Sequence, residues 1–79
     1  MNLAEAVAKR TKELLVAKNM SQYRLIKITC LERTSIQMIL KNKTKDIKLS
    51  TVFLIADAFE MTLAEFLSAD YFTTEFIEI

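Results

Sequence analysis

The sequence predicts an all-α fold, and three observations lead there. The 79 residues include no glycine and no proline, the residues that hairpins and special turns depend on. The apolar fraction of 52% is enough for a globular core and argues against disorder. Apolar residues also recur in one frame, a residue before a helix cap and another at the fourth helical position. That is the spacing of a hydrophobic staple. The expected architecture is compact, four to five helices in a single domain over residues 1–79. Its core spans about residues 2–68 and a short apolar tail follows from 69 to 79. A chain this short buries only about 60% of its unfolded surface and has no room for two cores.

The first helix is expected from about Asn2 to Lys18, with Leu3, Val7, Leu14 and Ala17 as its buried stripe and Thr11 the weak member. Lys9, Arg10, Lys12 and Lys18 take the other sides. Ser21 is a good cap for a second helix, Gln22 to Ile28, with Met20 and Leu25 as its staple. Leu25 and Ile28 are its expected buried residues, with Ile26 on a flank. Leu31 and Ile36 repeat the frame around Glu32, so a third helix runs from Arg33 to Leu40 and buries Ile36, Ile39 and Leu40. A loop with four lysines follows, Lys41 to Leu49. Ser50 is the expected cap of helix four, with Leu49 and Leu54 as staple and Val52, Ile55, Ala56 and Phe59 buried. Helix five opens at Thr62, with Met61 and Phe66 as staple and Glu65 completing a capping box. Four of the five starts thus carry one signature, and such consistency is the mark of a foldable sequence.

Composition excludes most chemistry. With no histidine and one cysteine, a zinc site would have to be built from carboxylates alone. Without glycine there is no phosphate-cradling loop and no dinucleotide fingerprint. Serine and threonine hydroxyls have no histidine to activate them. Asp57 and Glu60 lie one turn apart, which a solvated helix face explains. No catalytic residue, metal, cofactor or small-molecule ligand is therefore expected. The longest apolar run, Val52 to Ala56, is far short of the ~20 residues that a membrane span needs. The N-terminal stretch is charged throughout, unlike a secretory signal. A lone cysteine forms no internal disulfide, which fits a reducing compartment, so a cytoplasmic protein without a membrane partner is expected. Cys30 reads as a small apolar filler, and a redox role for it stays open.

The net charge of +1 conceals a division along the chain. Residues 1–48 hold all 11 lysines and arginines against Glu5, Glu13, Glu32 and Asp46, a balance of +7. Residues 49–79 hold six acids and no base, a balance of −6. A basic segment flanking two short helices points to a polyanion as partner.

Helices two and three are short, close together and joined by a tight turn, the helix-turn-helix pattern. Met20-Ser21-Gln22, then Leu25, Leu31, Ile36 and Ile39, then Lys43-Thr44-Lys45, resemble the Cro and phage-repressor helix-turn-helix family over about residues 11 to 67. The chain departs from the family's usual Ala at Ile26 and its usual Gly at Cys30 and Asn42. If the turn needs a left-handed residue, Cys30 costs about 1–2 kcal/mol there. The resemblance implies double-stranded DNA as partner, with bases read from Arg33, Thr34 and Met38. Helical spacing adds Gln37, and Arg33 and Gln37 have the bidentate groups that guanine and adenine accept. Phosphate contacts are implied for Gln22, Lys41, Lys43, Thr44 and Lys45. The function expected is that of a sequence-specific transcriptional regulator, a small phage- or prophage-type repressor or Cro-like protein. The alternative is a helix-turn-helix interaction module, an antirepressor or inhibitor that binds no DNA. Glu32 and Met38 on the presumed reading face keep it open.

The tail leaves one question. Tyr71, Phe72, Phe76, Ile77 and Ile79 add five large apolar side chains in eleven residues, beyond what the helical core needs. Either the tail folds back over helices one and five, or it meets a second copy, with a tail strand as one way of pairing. A homodimer through this tail or through Phe66 of helix five is expected, since two recognition helices read more sequence than one.

Overall fold

The computed structural model describes residues 1–79 as five helices without a strand. They are α1 Leu3–Ala17, α2 Gln22–Thr29, α3 Arg33–Leu40, α4 Leu49–Ala58 and α5 Leu63–Phe66. α1 packs on α3, α2 on α4, and α4 on α5. One hydrophobic cluster draws on all five, with Val7, Leu25, Ile36, Ile55, Phe59 and Phe66 among its most buried members.

Three of the five helices start on a side-chain cap. Asn2 caps α1 through a full capping box: its Oδ1 accepts from the Glu5 N–H at 2.8 Å, and Glu5 Oε1 accepts from the Asn2 N–H at 2.9 Å. Ser21 caps α2 and Thr62 caps α5, the latter with Glu65 as reciprocal partner. That bond to the Thr62 backbone N–H, helped by the Thr62 side chain, holds the Glu65 carboxyl below its ordinary range. Glu32 begins α3 without a side-chain cap, and the Leu31–Ile36 frame stands as expected.

Helix four differs from the sequence expectation. It starts at Leu49 with Lys48 as cap, and Ser50 lies inside it. The staple is therefore Ile47 with Val52, while Leu49 and Leu54 are exposed. Burying Val52 contributes about 1.5–3 kcal/mol, whereas a good cap is worth about 1 kcal/mol. The better cap loses to the better-buried side chain.

Two other stripes shift. In α1 the buried residues are Ala4, Ala6, Val7, Ala8, Thr11 and Leu14, while Leu3 and Ala17 are exposed. Small alanines let this helix approach its neighbours closely, and the Thr11 hydroxyl donates to the Val7 carbonyl at 2.7 Å. Its polar group is thus satisfied within the helix, and Thr11 is among the most buried residues of all. In α2 Thr29, not Ile28, joins Leu25 in the interior.

The stops are made without glycine. Asn19, Cys30, Asn42 and Glu60 all adopt positive φ, between 50° and 59°. Behind α1, α3 and α4 the paired bonds of a Schellman motif are complete: Asn19 to Val16 with Met20 to Leu15, Asn42 to Ile39 with Lys43 to Met38, and Glu60 to Asp57 with Met61 to Ala56. Asparagine suits this conformation; glutamate does not.

The tail folds back over α1 and α5. Arg10 of α1 closes α5 by donating to the carbonyls of Phe66 at 2.8 Å and Glu65 at 3.1 Å. Tyr71 is buried beneath the Lys9 ammonium, 5.1 Å from its ring, and its hydroxyl donates to Glu13 Oε1 at 2.5 Å. Burial first, and then the Glu13 carboxylate, push the phenol well above its ordinary range. Phe72 lies between Tyr71 and Phe66, 5.1 and 6.5 Å away between ring centres. The last residues form no strand. They bond to the N-terminus, the Met1 amino group donating to the Phe76 carbonyl and the Glu78 N–H to the Met1 carbonyl, both at 2.9 Å.

Glu60→Gly is expected to stabilise the fold by about 0.5–1 kcal/mol, the relief of left-handed strain less the added freedom of the unfolded chain. Thermal unfolding checks it, and an unchanged or lower midpoint would show that Glu60 carries no strain. Tyr71→Phe should cost about 1 kcal/mol at neutral pH. In the unfolded chain the phenol ionises near ~10, in the folded chain only higher. Stability from this group is thus full below ~10 and falls as pH rises further, and the Phe variant should lose less on the alkaline side. Equal alkaline slopes for the two proteins would contradict that assignment.

Candidate nucleic-acid interface

The turn between α2 and α3 is Cys30, Leu31 and Glu32, and Thr29 stitches it. The Thr29 hydroxyl donates to the Leu25 carbonyl at 2.9 Å and accepts from the Leu31 N–H at 3.3 Å. Cys30 takes the left-handed conformation that reverses the chain, with φ 57° and ψ 18°. Its N–H still reaches the Ile26 carbonyl at 3.1 Å. Leu31 then packs partly into the core and Ile36 fully, which fixes the direction in which α3 leaves the turn.

Burial of Ile36, Ile39 and Leu40 dictates what α3 shows outside. Arg33, Thr34, Ser35 and Met38 are exposed, and Gln37 is half-buried between Arg33 and Met38 in helical angle. An open groove of about 750 Å³ runs from α3 to the following loop. It brings together Thr34 and Met38, two of the expected base readers, with Lys43 and Thr44, two of the expected phosphate ligands. Arg33 and Gln37 lie on α3 outside this groove, as do Lys41 and Lys45 on the loop; Lys41 and Lys45 are exposed. Gln22 stands apart, exposed at the first position of α2. The first N–H groups of that helix have no intrahelical acceptor, so this is an anion-favouring end.

Of the groove's other residues, Ser35, Asp46, Lys48 and Thr51 had no role in the sequence reading, whereas Glu32 stood there on the presumed reading face. Ser35 was detectable as the residue one turn before Met38. Lys48 stands in the four-lysine loop beyond the Lys43-Thr44-Lys45 motif, which did not mark it, and it caps α4. Glu32 and Asp46 bring two carboxylates to a basic region. Of the tail residues, Phe66 and Tyr71 are buried within their own chain, Phe72 and Ile77 are partly covered, and Phe76 and Ile79 are exposed.

No three cysteine, aspartate or glutamate side chains converge in a way that could hold a metal ion. No helix is long and apolar enough to cross a membrane. A family model described as a Cro/C1-type HTH DNA-binding domain matches residues 10–70, which takes in all five helices except the first turns of α1. No curated protein and no solved structure matches the chain.

Proposed function

Because the chain belongs to the Cro/C1-type helix-turn-helix DNA-binding domain family, we propose that it is a sequence-specific transcriptional regulator. In this reading it is a small repressor or Cro-like protein of the phage or prophage type, acting as a homodimer on duplex DNA in the cytoplasm. The observation that carries it is the outer side of α3, where Thr34 and Met38 share one groove with Lys43, Thr44 and Lys48. α3 enters the major groove with Arg33 and Thr34 foremost, and Met38 offers apolar contact to a thymine methyl. Gln37, half-buried, reaches less far. Gln22, Lys41 and the Lys43–Lys45 segment hold phosphates on either side and set the register.

A second reading is a helix-turn-helix module that binds another protein. Glu32 and Asp46 favour it, because both carboxylates face the same groove and repel a phosphate backbone. The lysines outnumber them on that loop, and the DNA reading is the better supported.

Selection from a random duplex pool tests the proposal. One enriched motif is expected, with affinity that falls steeply as salt rises, since neutralised phosphates release counterions. No enrichment at any salt concentration would favour the protein-binding module. Two variants then separate the roles. Arg33→Ala should relax the preference at one base pair and cost ~1–3 kcal/mol, while Lys43→Ala should weaken all sequences alike and flatten the salt slope by ~1. The reverse pattern would exchange the assignments.

A further inference from the structure

Glu32 stands at the start of α3, and the fold makes little use of it. Glutamate is not a favoured cap, and no side-chain bond ties Glu32 to the first N–H groups of α3. The contrast lies within the chain. Glu5 and Glu65 also stand at helix starts, and both close a capping box. Leu31 and Ile36 set the start of α3 instead, and Glu32 is left exposed. It lines the groove together with Thr34, Ser35 and Met38 of α3 and with Lys43 and Lys48 of the loop.

With α3 in the major groove, that is an unfavourable place for a negative charge. A carboxylate among phosphates weakens binding to every duplex. Beside base edges it does something else: it selects. A carboxylate accepts hydrogen bonds and donates none. Guanine shows it two acceptors, and thymine an acceptor and a methyl group. Adenine has an amino group, but with the N7 acceptor beside it. Cytosine alone offers its N4 amino group without an acceptor next to it on the same base edge. Recognition helices reach bases from their N-terminal residues, and Glu32 immediately precedes Arg33, the first residue of α3.

We propose that Glu32 is a specificity-determining residue. Its carboxylate accepts from the N4 amino group of a cytosine in the major groove and turns away the other bases at that position. Arg33 only donates, Thr34, Ser35 and Gln37 donate as well as accept, and Met38 is at most a weak acceptor. Glu32 is thus the one strong acceptor without a donor at the exposed start of α3, and it supplies a discrimination that its neighbours do not. Part of that discrimination is repulsion, by which a site rejects the wrong partner. Asp46, the other carboxylate of the groove, lies on the loop among lysines and not on α3. Its charge acts on the phosphates and carries no base preference.

Because this rests on α3 reading DNA, the test separates the two. Duplexes are selected from a random pool with the wild-type chain, Glu32→Ser, Glu32→Gln and Asp46→Asn, and thermal midpoints are measured alongside. The wild-type motif should contain one cytosine preferred ~5- to 30-fold over the other bases. Glu32→Ser should lose that preference, keep the rest of the motif and bind all other duplexes more tightly. Its thermal midpoint should rise, because serine is the better cap; a lower midpoint would make Glu32 a residue of the fold and overturn the proposal. Glu32→Gln, equal in length but with a donor added, should accept other bases at the same position. Asp46→Asn should raise affinity for all duplexes alike and leave the motif intact. A motif unchanged in both Glu32 variants overturns the assignment while the DNA reading stands, as does relaxation at an A·T pair. The same cytosine relaxed by Asp46→Asn would make the effect one of general charge and overturn the contact. No enrichment by the wild-type chain at any salt concentration overturns the DNA reading and this inference with it.

Discussion

The structure depends on one residue in each helix, the fourth after its start. Ala6, Leu25, Ile36, Val52 and Phe66 hold that position in α1 to α5, and none is more than 4% exposed. Five residues earlier in each case stands Met1, Met20, Leu31, Ile47 or Met61, and all five are half-buried. Each pair therefore drives the first turn of its helix into the common core and folds the incoming chain over it. Hydrogen-bonding caps are secondary: Glu32 and Lys48 make no side-chain cap, yet α3 and α4 begin where the apolar frame puts them. In a domain this small, burying one large side chain outweighs a cap by a factor of about two.

The ends of the helices obey the opposite logic. Four residues take the left-handed conformation, and none is glycine. At about 1–2 kcal/mol each for an ordinary side chain, such positions draw noticeably on a net stability of roughly 5–15 kcal/mol. Asparagine lightens this at positions 19 and 42. Cys30 and Glu60 receive no such relief, and they hold because the flanking apolar pairs leave the chain no other route. The turn of the helix-turn-helix is thus imposed by Leu25 and Ile36 on either side of it, with Thr29 satisfying the backbone between them.

Much of this was legible in the sequence. α3 and its buried Ile36, Ile39 and Leu40 stand where periodicity puts them, because three large residues at helical spacing leave a single buried face. Cap preference alone points α4 to Ser50, but burial of Val52 sets its start two residues earlier, at Lys48. Helical spacing puts Leu3 in the buried stripe and makes Thr11 its weak member, yet Leu3 is exposed and Thr11 buried, because the Thr11 hydroxyl, like that of the unexpected Thr29, bonds within its own helix. The sequence offered a return over helices one and five as one of two destinations for the tail, and the choice between them was not legible. Its anchor joins Tyr71 to Glu13, 58 residues apart, and only the packing of α1 beside α5 brings them together. The groove beside α3 was legible in part: Thr34, Met38, Lys43 and Thr44 came from spacing and resemblance, while Lys48 lies in the lysine loop beyond the motif that singled out Lys43 to Lys45.

The charge division along the chain also changes meaning once folded. Of the eleven basic residues, Lys9, Arg10 and Lys27 are engaged within the molecule: Lys9 over the ring of Tyr71, Lys27 over the ring of Tyr23, and Arg10 on the carbonyls that end α5. The +7 of the first 48 residues therefore overstates what a phosphate backbone would meet. What remains on the side of α3 is Arg33 with the lysines of the following loop, offset locally by Glu32 and Asp46. The acidic half, for its part, supplies Glu65 to the cap of α5 and Asp57 and Glu60 to the far end of α4. α4 thus has lysines at the end nearest α3 and carboxylates at the other. The helix that follows the lysine loop is polarised along its length, and its exposed Phe53 lies midway between the two charges.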